Sequence, residues 1–239
     1  MLMRKTILLC SLLLSVACQE AAPPATPAGS AAASPEASST SLSESERLNA
    51  WFDEKFEEQV MMSPAWLTRL ARKERYNEYD DLSEEEADRR LQWLADTVDE
   101  LEANFSYDAL DLETRTSWDL WIYQFERARE AAAFRRGNYI FTQMLGPQAS
   151  VPQFLIRFHR VDDVADMAAY IERIGGISRA IRQLLVQAQV RAQQGVRPPR
   201  FGHEGAISEA QKLIRGVPFD RIGPDSPLWA DAMKKIASL

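Results

Sequence analysis

One run of spacings constrains this chain more than any other feature. Ala87, Leu91, Leu94, Val98, Leu101 and Phe105 step alternately by four and three, which places all six side chains on one face of a helix. Ser83 and Glu86 stand before the run in a capping-box arrangement, where a hydroxyl and a carboxylate satisfy backbone N–H groups reciprocally. No segment sustains the apolar alternation of a half-exposed strand beyond a few residues. The expected fold class is therefore all-α, an irregular multi-helix array without the internal repeat of a helical solenoid.

The same logic places the other helices. Ser43 and Glu46 form a second capping box ahead of Leu48, Trp51, Phe52, Phe56 and Val60, which predicts a helix over 44–61. Ser63-Pro64 opens a short one, because proline at a first helical position has no N–H to leave unpaired. From Asp111 to Phe134, Leu112, Trp118, Trp121, Ile122, Phe125, Ala128 and Ala132 give an apolar face broad enough to predict a central, well-buried helix. A short helix is expected over 150–158 with Pro152 in its first turn. From Asp162 to Gln194 the apolar stripe is interrupted by Gly175-Gly176, each costing about 1 kcal/mol relative to alanine in a helix, which predicts a kink or a close helix crossing. Val196 to Gly202, holding Pro198-Pro199, is expected to be non-helical, with further helices over 206–215 and 227–238. Leu239 follows soon after an apolar helical face begins, which suggests a fragment of a larger helical fold.

The amino terminus reads as an address. Arg4 and Lys5 precede an uncharged stretch from Ile7 to Ala17, too short to span a bilayer, then small residues and Cys18. The string LSVAC resembles a lipobox, with Ser15 where leucine is usual. The organisation expected is a lipoprotein signal over 1–17, lipidation at Cys18, an Ala/Pro/Ser/Thr-rich tether over 18–42 and a helical domain over 43–239. The competing reading is an ordinary signal peptide with Cys18 discarded or left as a free thiol. By analogy with the lipoproteins whose lipobox it resembles, Gln19 after the cysteine, in place of aspartate, implies the outer membrane, facing the periplasm. Cys10 falls inside the signal, so the helical domain has no cysteine with which to build a disulfide or a thiolate metal site.

Charge narrows the partners. With 35 Asp and Glu against 28 Lys and Arg, a formal charge of -7, the chain lacks the basic footprint of a nucleic-acid binder. An acidic body gains nothing from an anionic bilayer surface either, so membrane attachment rests on Cys18.

Catalytic chemistry is sparse. A hydrolytic zinc needs two or three imidazoles plus a carboxylate, and the chain has only His159 and His203. His203-Glu204 begins an HExxH motif, but Ile207 stands where the second histidine belongs. No metal-ligating or catalytic residue is assigned. His159, between Arg157 and Arg160, reads as a helix-end residue whose charge meets the dipole. The run Asp80, Asp81, Glu84, Glu85 and Glu86 lacks the spacing and central glycine of a calcium loop and reads as a solvated helix start. Arg197 and Arg200 bracket the Pro-Pro turn and are candidates to reach an anionic group such as a peptide carboxylate; the plain alternative is surface charge. No nucleophile elbow, phosphate-binding glycine loop or Cys-His pair is present.

Three segments carry a family resemblance. SPAWLTRLARKERYNEYDDLSEE, QMLGPQASVPQFLIRFHRVDDVADMAAYIERI and GVRPPRFGHEGAISEAQKLI, taken in order, resemble the amino-terminal region of the bacterial family catalogued as domain of unknown function 885, over a stretch running from about Glu46 to the end. The resemblance implies an exported, largely helical protein, often a lipoprotein, similar to zincin-type metallopeptidases of the carboxypeptidase sort. It implies zinc and a general-base glutamate in a carboxy-terminal half that this chain lacks, so neither role passes to a numbered residue here. It assigns these helices a scaffold role as one wall of a peptide-substrate cleft, with Arg197 and Arg200 at its rim. The alternative from another class is a non-catalytic helical envelope lipoprotein that binds a peptide or protein partner.

Overall fold

The structure, a computed structural model, describes residues 41–239; the signal over 1–17, Cys18 and most of the expected tether lie outside the described residues. Among the described residues there are eight α-helices and no strand: α1 (Glu44–Met61), α2 (Pro64–Arg69), α3 (Glu84–Asn104), α4 (Leu112–Ala133), α5 (Pro147–Phe158), α6 (Val164–Gln193), α7 (Arg200–Leu213) and α8 (Pro227–Ala237). None of these helices is long and apolar enough to cross a membrane.

The cap chemistry accounts for most starts. At α1 the reciprocal box is complete: Glu46 N–H donates to Ser43 Oγ at 3.2 Å and Ser43 N–H to Glu46 Oε2 at 2.7 Å. At α3 only half of it forms. Glu86 N–H donates to Ser83 Oγ, but the Glu86 carboxylate accepts from Arg90 Nε instead, and Asp81 receives the Ser83 N–H at 2.8 Å. The acidic run is therefore not simply a solvated helix start. Glu86 is buried, Asp80 accepts from Ser63 Oγ and Ala65 N–H to cap α2, and Glu84 holds Arg136.

Three helix expectations, for α4, α5 and α7, need correction. α4 is a surface helix: Leu112 is 82% exposed and Phe134 75%, and Thr114 and Trp118 are its only buried residues. Its apolar side chains wrap around too much of the circumference for one partner face, and arginines cover some of the excess, Arg127 over Tyr123 and Arg129 over Phe125. α5 begins at Pro147, not Ser150, because Pro147 itself takes the first helical position, and this leaves Pro152 inside the helix. α7 begins at Arg200, so Arg200 to Gly202 are helical; a proline restricts the residue before it and not those after it. α6 runs unbroken through Gly175-Gly176.

Burial divides between two clusters. Leu48, Trp51, Leu101, Leu110 and Trp118 join α1, α3 and α4, with Phe52, Phe105 and Trp121 packed edge-on around Trp51. Two of the indole N–H groups are used: Trp51 donates to Glu100 at 2.6 Å and Trp121 to Thr97 Oγ1 at 3.1 Å. The second cluster, Ala65, Tyr79, Val151, Phe154, Leu155, Met167, Tyr170, Ile177 and Ala180, joins α2, α5 and α6, with Leu228 and Ala232 of α8 against it.

The irregular segment between α2 and α3 lies along α6 and is fastened at successive turns. Asn77 donates to Glu172, Arg173 Nε to Glu78 C=O at 2.7 Å, Arg179 to Tyr79 C=O at 3.0 Å and Gln183 Nε2 to Asp81 at 2.8 Å. Gly176 sits where this segment comes closest: a Cβ there would stand 3.2 Å from the Tyr79 backbone nitrogen, whereas at Gly175 it would meet open space. The close approach expected at the glycine pair is thus made by a loop and not by a helix.

Arg173 anchors that contact. It is fully buried, and its guanidinium donates to Glu78 C=O, to Thr68 Oγ1 at 2.9 Å and to His159 Nδ1 at 3.1 Å, with the Tyr76 ring 4.9 Å away. A guanidinium only donates, so His159 Nδ1 is an acceptor and its proton sits on Nε2, which donates to Asp166 C=O at 3.0 Å. His159 does end α5, but it is 1% exposed, and burial, with the Arg173 charge adding to it, pushes its pKa down to about 4. It is neutral at physiological pH, which corrects the reading of it as a charge on the helix dipole.

Candidate functional site

The candidate site lies beyond the other end of α6. Ile181, Leu185, Ala188 and Ala192 follow one another by four, three and four, so they form one face. The chain turns after Gln193 and returns as α7, which presents His203, Ala206, Ile207 and Ala210 at helical intervals. Between the two helices lies a groove of about 470 Å3, closed below by Asn138, Tyr139, Ile140 and Phe141. That volume is within the range of small-ligand sites, about 300–1,000 Å3. Alanines at 188, 192, 206 and 210 are what leave the space open. Gly205 lets the segment before α5 lie against α7, since a Cβ there would come 2.5 Å from Gln143 Cβ.

The polar groups of the groove are few and unevenly satisfied. Arg191 Nη1 donates to Asn138 C=O at 2.8 Å and Gln148 Nε2 to Glu209 at 3.0 Å, yet Arg191 Nε and Gln148 Oε1 are withdrawn from solvent with no partner. Among the described residues these are the two buried side-chain polar atoms so left. A group in that state costs about 1–3 kcal/mol, so two in one groove mark a place arranged for something other than packing. Burial draws the Arg191 pKa below the usual arginine range; Glu84 pulls the other way but is itself clamped to Arg136. No Asp or Glu lines the groove, although the chain as a whole is acidic.

A larger void of about 570 Å3 lies between α3 and α4, and Trp66, Trp93, Leu91 and Ala128 are among the residues lining it. Its arginines and the Trp93 indole are already partnered: Arg135 with Asp88, Arg90 with Glu86, and Trp93 Nε1 with Glu58. It offers a ligand shape without unmet bonds.

The family model for bacterial proteins of unknown function, DUF885, matches residues 64–238. The chain belongs to this family. No curated protein and no solved structure matches the chain. The DUF885 match starts at α2, so it takes in both the Arg173 contacts and the groove and leaves out α1.

The zinc that the zincin resemblance implies does not fit the donors present. Both ring nitrogens of His159 are engaged inside the protein, His203 has Ile207 one turn on, and no group of three His, Cys, Asp or Glu converges among the described residues. Of the two arginines at the Pro-Pro turn, Arg197 lines the groove, its Nε held by Ala192 C=O at 2.9 Å. Arg200 does not line it; its side chain is 90% exposed and paired with Glu204 at 2.7 Å. The structure adds Arg191 and Gln148, neither of which the motifs single out.

Proposed function

We propose that this chain is the substrate-cleft portion of an exported lipoprotein of the metallopeptidase-like class, carried on lipid at Cys18, whose groove between α6 and α7 holds an apolar peptide segment. The reading rests on the groove itself: an apolar trough of about 470 Å3 in which two buried polar atoms are left unmatched. A scaffold that served packing alone would have closed such a space, because buried polar atoms without partners are rare. Metal ligation in this reading falls to residues other than His159 and His203.

The test is binding without turnover. The purified chain should bind short apolar peptides by isothermal titration calorimetry and leave them uncleaved, and Ala210→Trp, at an exposed position of the groove wall, should abolish binding while preserving the melting temperature. Cleavage by this chain, or binding indifferent to Ala210→Trp, would overturn the reading.

A second reading, a non-catalytic envelope lipoprotein that docks a protein partner, draws on the exposed apolar residues Phe219, Ile222, Met233 and Ile236 at and before α8. It expects A210W to retain partner binding and substitutions on α8 to remove it.

A further inference from the structure

We infer that the groove between α6 and α7 takes an apolar carboxylate and that Arg191 receives its acid end; this deepens the binding role proposed above and rests on it. Two independent observations point the same way. The first concerns hydrogen bonding: Arg191 Nε is a charged donor withdrawn from solvent without an acceptor, and neutral donors without acceptors are already costly. The second concerns charge. Arg191 and Arg197 both line the groove and no carboxylate does; Glu84 is committed to Arg136, and Glu209 meets the groove only through Gln148 Nε2. A groove that is cationic at one end and apolar along Ile181, Leu185, Ala206 and Ile207 matches a ligand with one negative group on a hydrocarbon body.

Reception requires a small rearrangement. Arg191 Nε is shielded in the ligand-free groove, so the side chain must turn, releasing Asn138 C=O, for Nε and a terminal nitrogen to meet a carboxylate side by side. Asn138 is exposed on the groove floor, so its freed carbonyl is open to hydration.

Two sources present this chemistry, a fatty acid and the end of an apolar peptide. Titration of the full chain with decanoate and with N-acetyl-leucyl-leucine, each beside its own primary amide, separates them. At least one acid should bind tenfold or more tightly than its amide, and that advantage should fall on raising salt and vanish in Arg191→Met. Arg191→Lys, which keeps the charge but lacks Nε, should retain only part of it. Equal affinity of acid and amide would overturn the inference while leaving the groove as a binding site. Failure of all four probes would overturn both. The acid-amide comparison on the unmodified chain stands whether or not the variants fold.

Discussion

Two arginines on α6 have opposite fates. Arg173 and Arg191 stand 18 positions apart, five full turns, and so on the same face of one helix. Arg173 is sealed inside, its donors met by a carbonyl, a hydroxyl and a neutral imidazole, with an aromatic ring in place of a counter-ion. Arg191 is half-buried with one donor unmet and open space beside it. One end of the helix uses a guanidinium to fasten a loop that has no secondary structure of its own, and the other holds one in reserve. The contrast separates an arginine that maintains the fold from one available to a ligand.

The contrast breaks most readily at the sealed end. Arg173→Met should cost about 3–5 kcal/mol, the range for removing one member of a buried polar set, because Glu78 C=O and His159 Nδ1 lose their donors together. Chemical denaturation reads this directly, and a loss under 1 kcal/mol would show that the loop is held by its apolar contacts alone.

Acid should undo the same end next. His159 titrates near 4 in the folded chain and near 6.5 when unfolded, so the unfolded state binds the proton first, and stability is lost as pH falls from about 6.5 through about 4. The full loss is about 3 kcal/mol. Urea midpoints taken at pH 7, 5.5 and 4.5 should fall accordingly, and His159→Gln, which can still accept from Arg173 and donate to Asp166 C=O, should flatten the slope. An unchanged slope in H159Q would assign it to the carboxylates.

At the open end the same type of change should have the opposite character. Arg191→Met removes a charge that burial disfavours and an Nε donor that nothing accepts, against the loss of one bond to the exposed Asn138 C=O, so stability should stay within about 1 kcal/mol of the parent or rise. A loss comparable to that of Arg173→Met would place Arg191 in the fold and remove it from the groove.

How much of this the sequence disclosed depended on whether the signal was local. Helix starts set by Ser43, Ser63 and Ser83 were legible because a cap is a matter of three or four neighbouring residues. The burial of α4 was not, since an apolar face records what a helix is able to bury and not whether a partner reaches it. His159 is legible as a helix end, yet its neutrality follows from burial, with the charge of Arg173, fourteen residues on, adding to it. The groove was half legible. Arg197 announced itself beside the prolines, whereas Gln148 and Arg191 become meaningful only when the turn after α6 brings α7 back over them. The segments that carry the family resemblance divide in the same way: the first fastens the loop to α6, and the third builds the wall of the groove.

The smallest test concerns the glycine pair between the two arginines, where sequence alone gives both residues the same cost. Gly175 faces open space, so Gly175→Ala should recover its helix propensity and stabilise by about 1 kcal/mol. Gly176 has the Tyr79 backbone 3.2 Å from where a Cβ would lie, and Tyr79 cannot easily withdraw, because Arg179 holds its carbonyl and Asp80 beside it caps α2. An overpacking penalty of about 1–3 kcal/mol there should cancel the propensity gain or exceed it. G176A should therefore melt below G175A, and the gap should shrink in an Arg173→Met background, where the loop has lost its anchor and is free to yield. A gap that persisted unchanged would mean that the loop is held against α6 by its remaining bonds, with Arg173 contributing stability to the core but no constraint on where the loop lies.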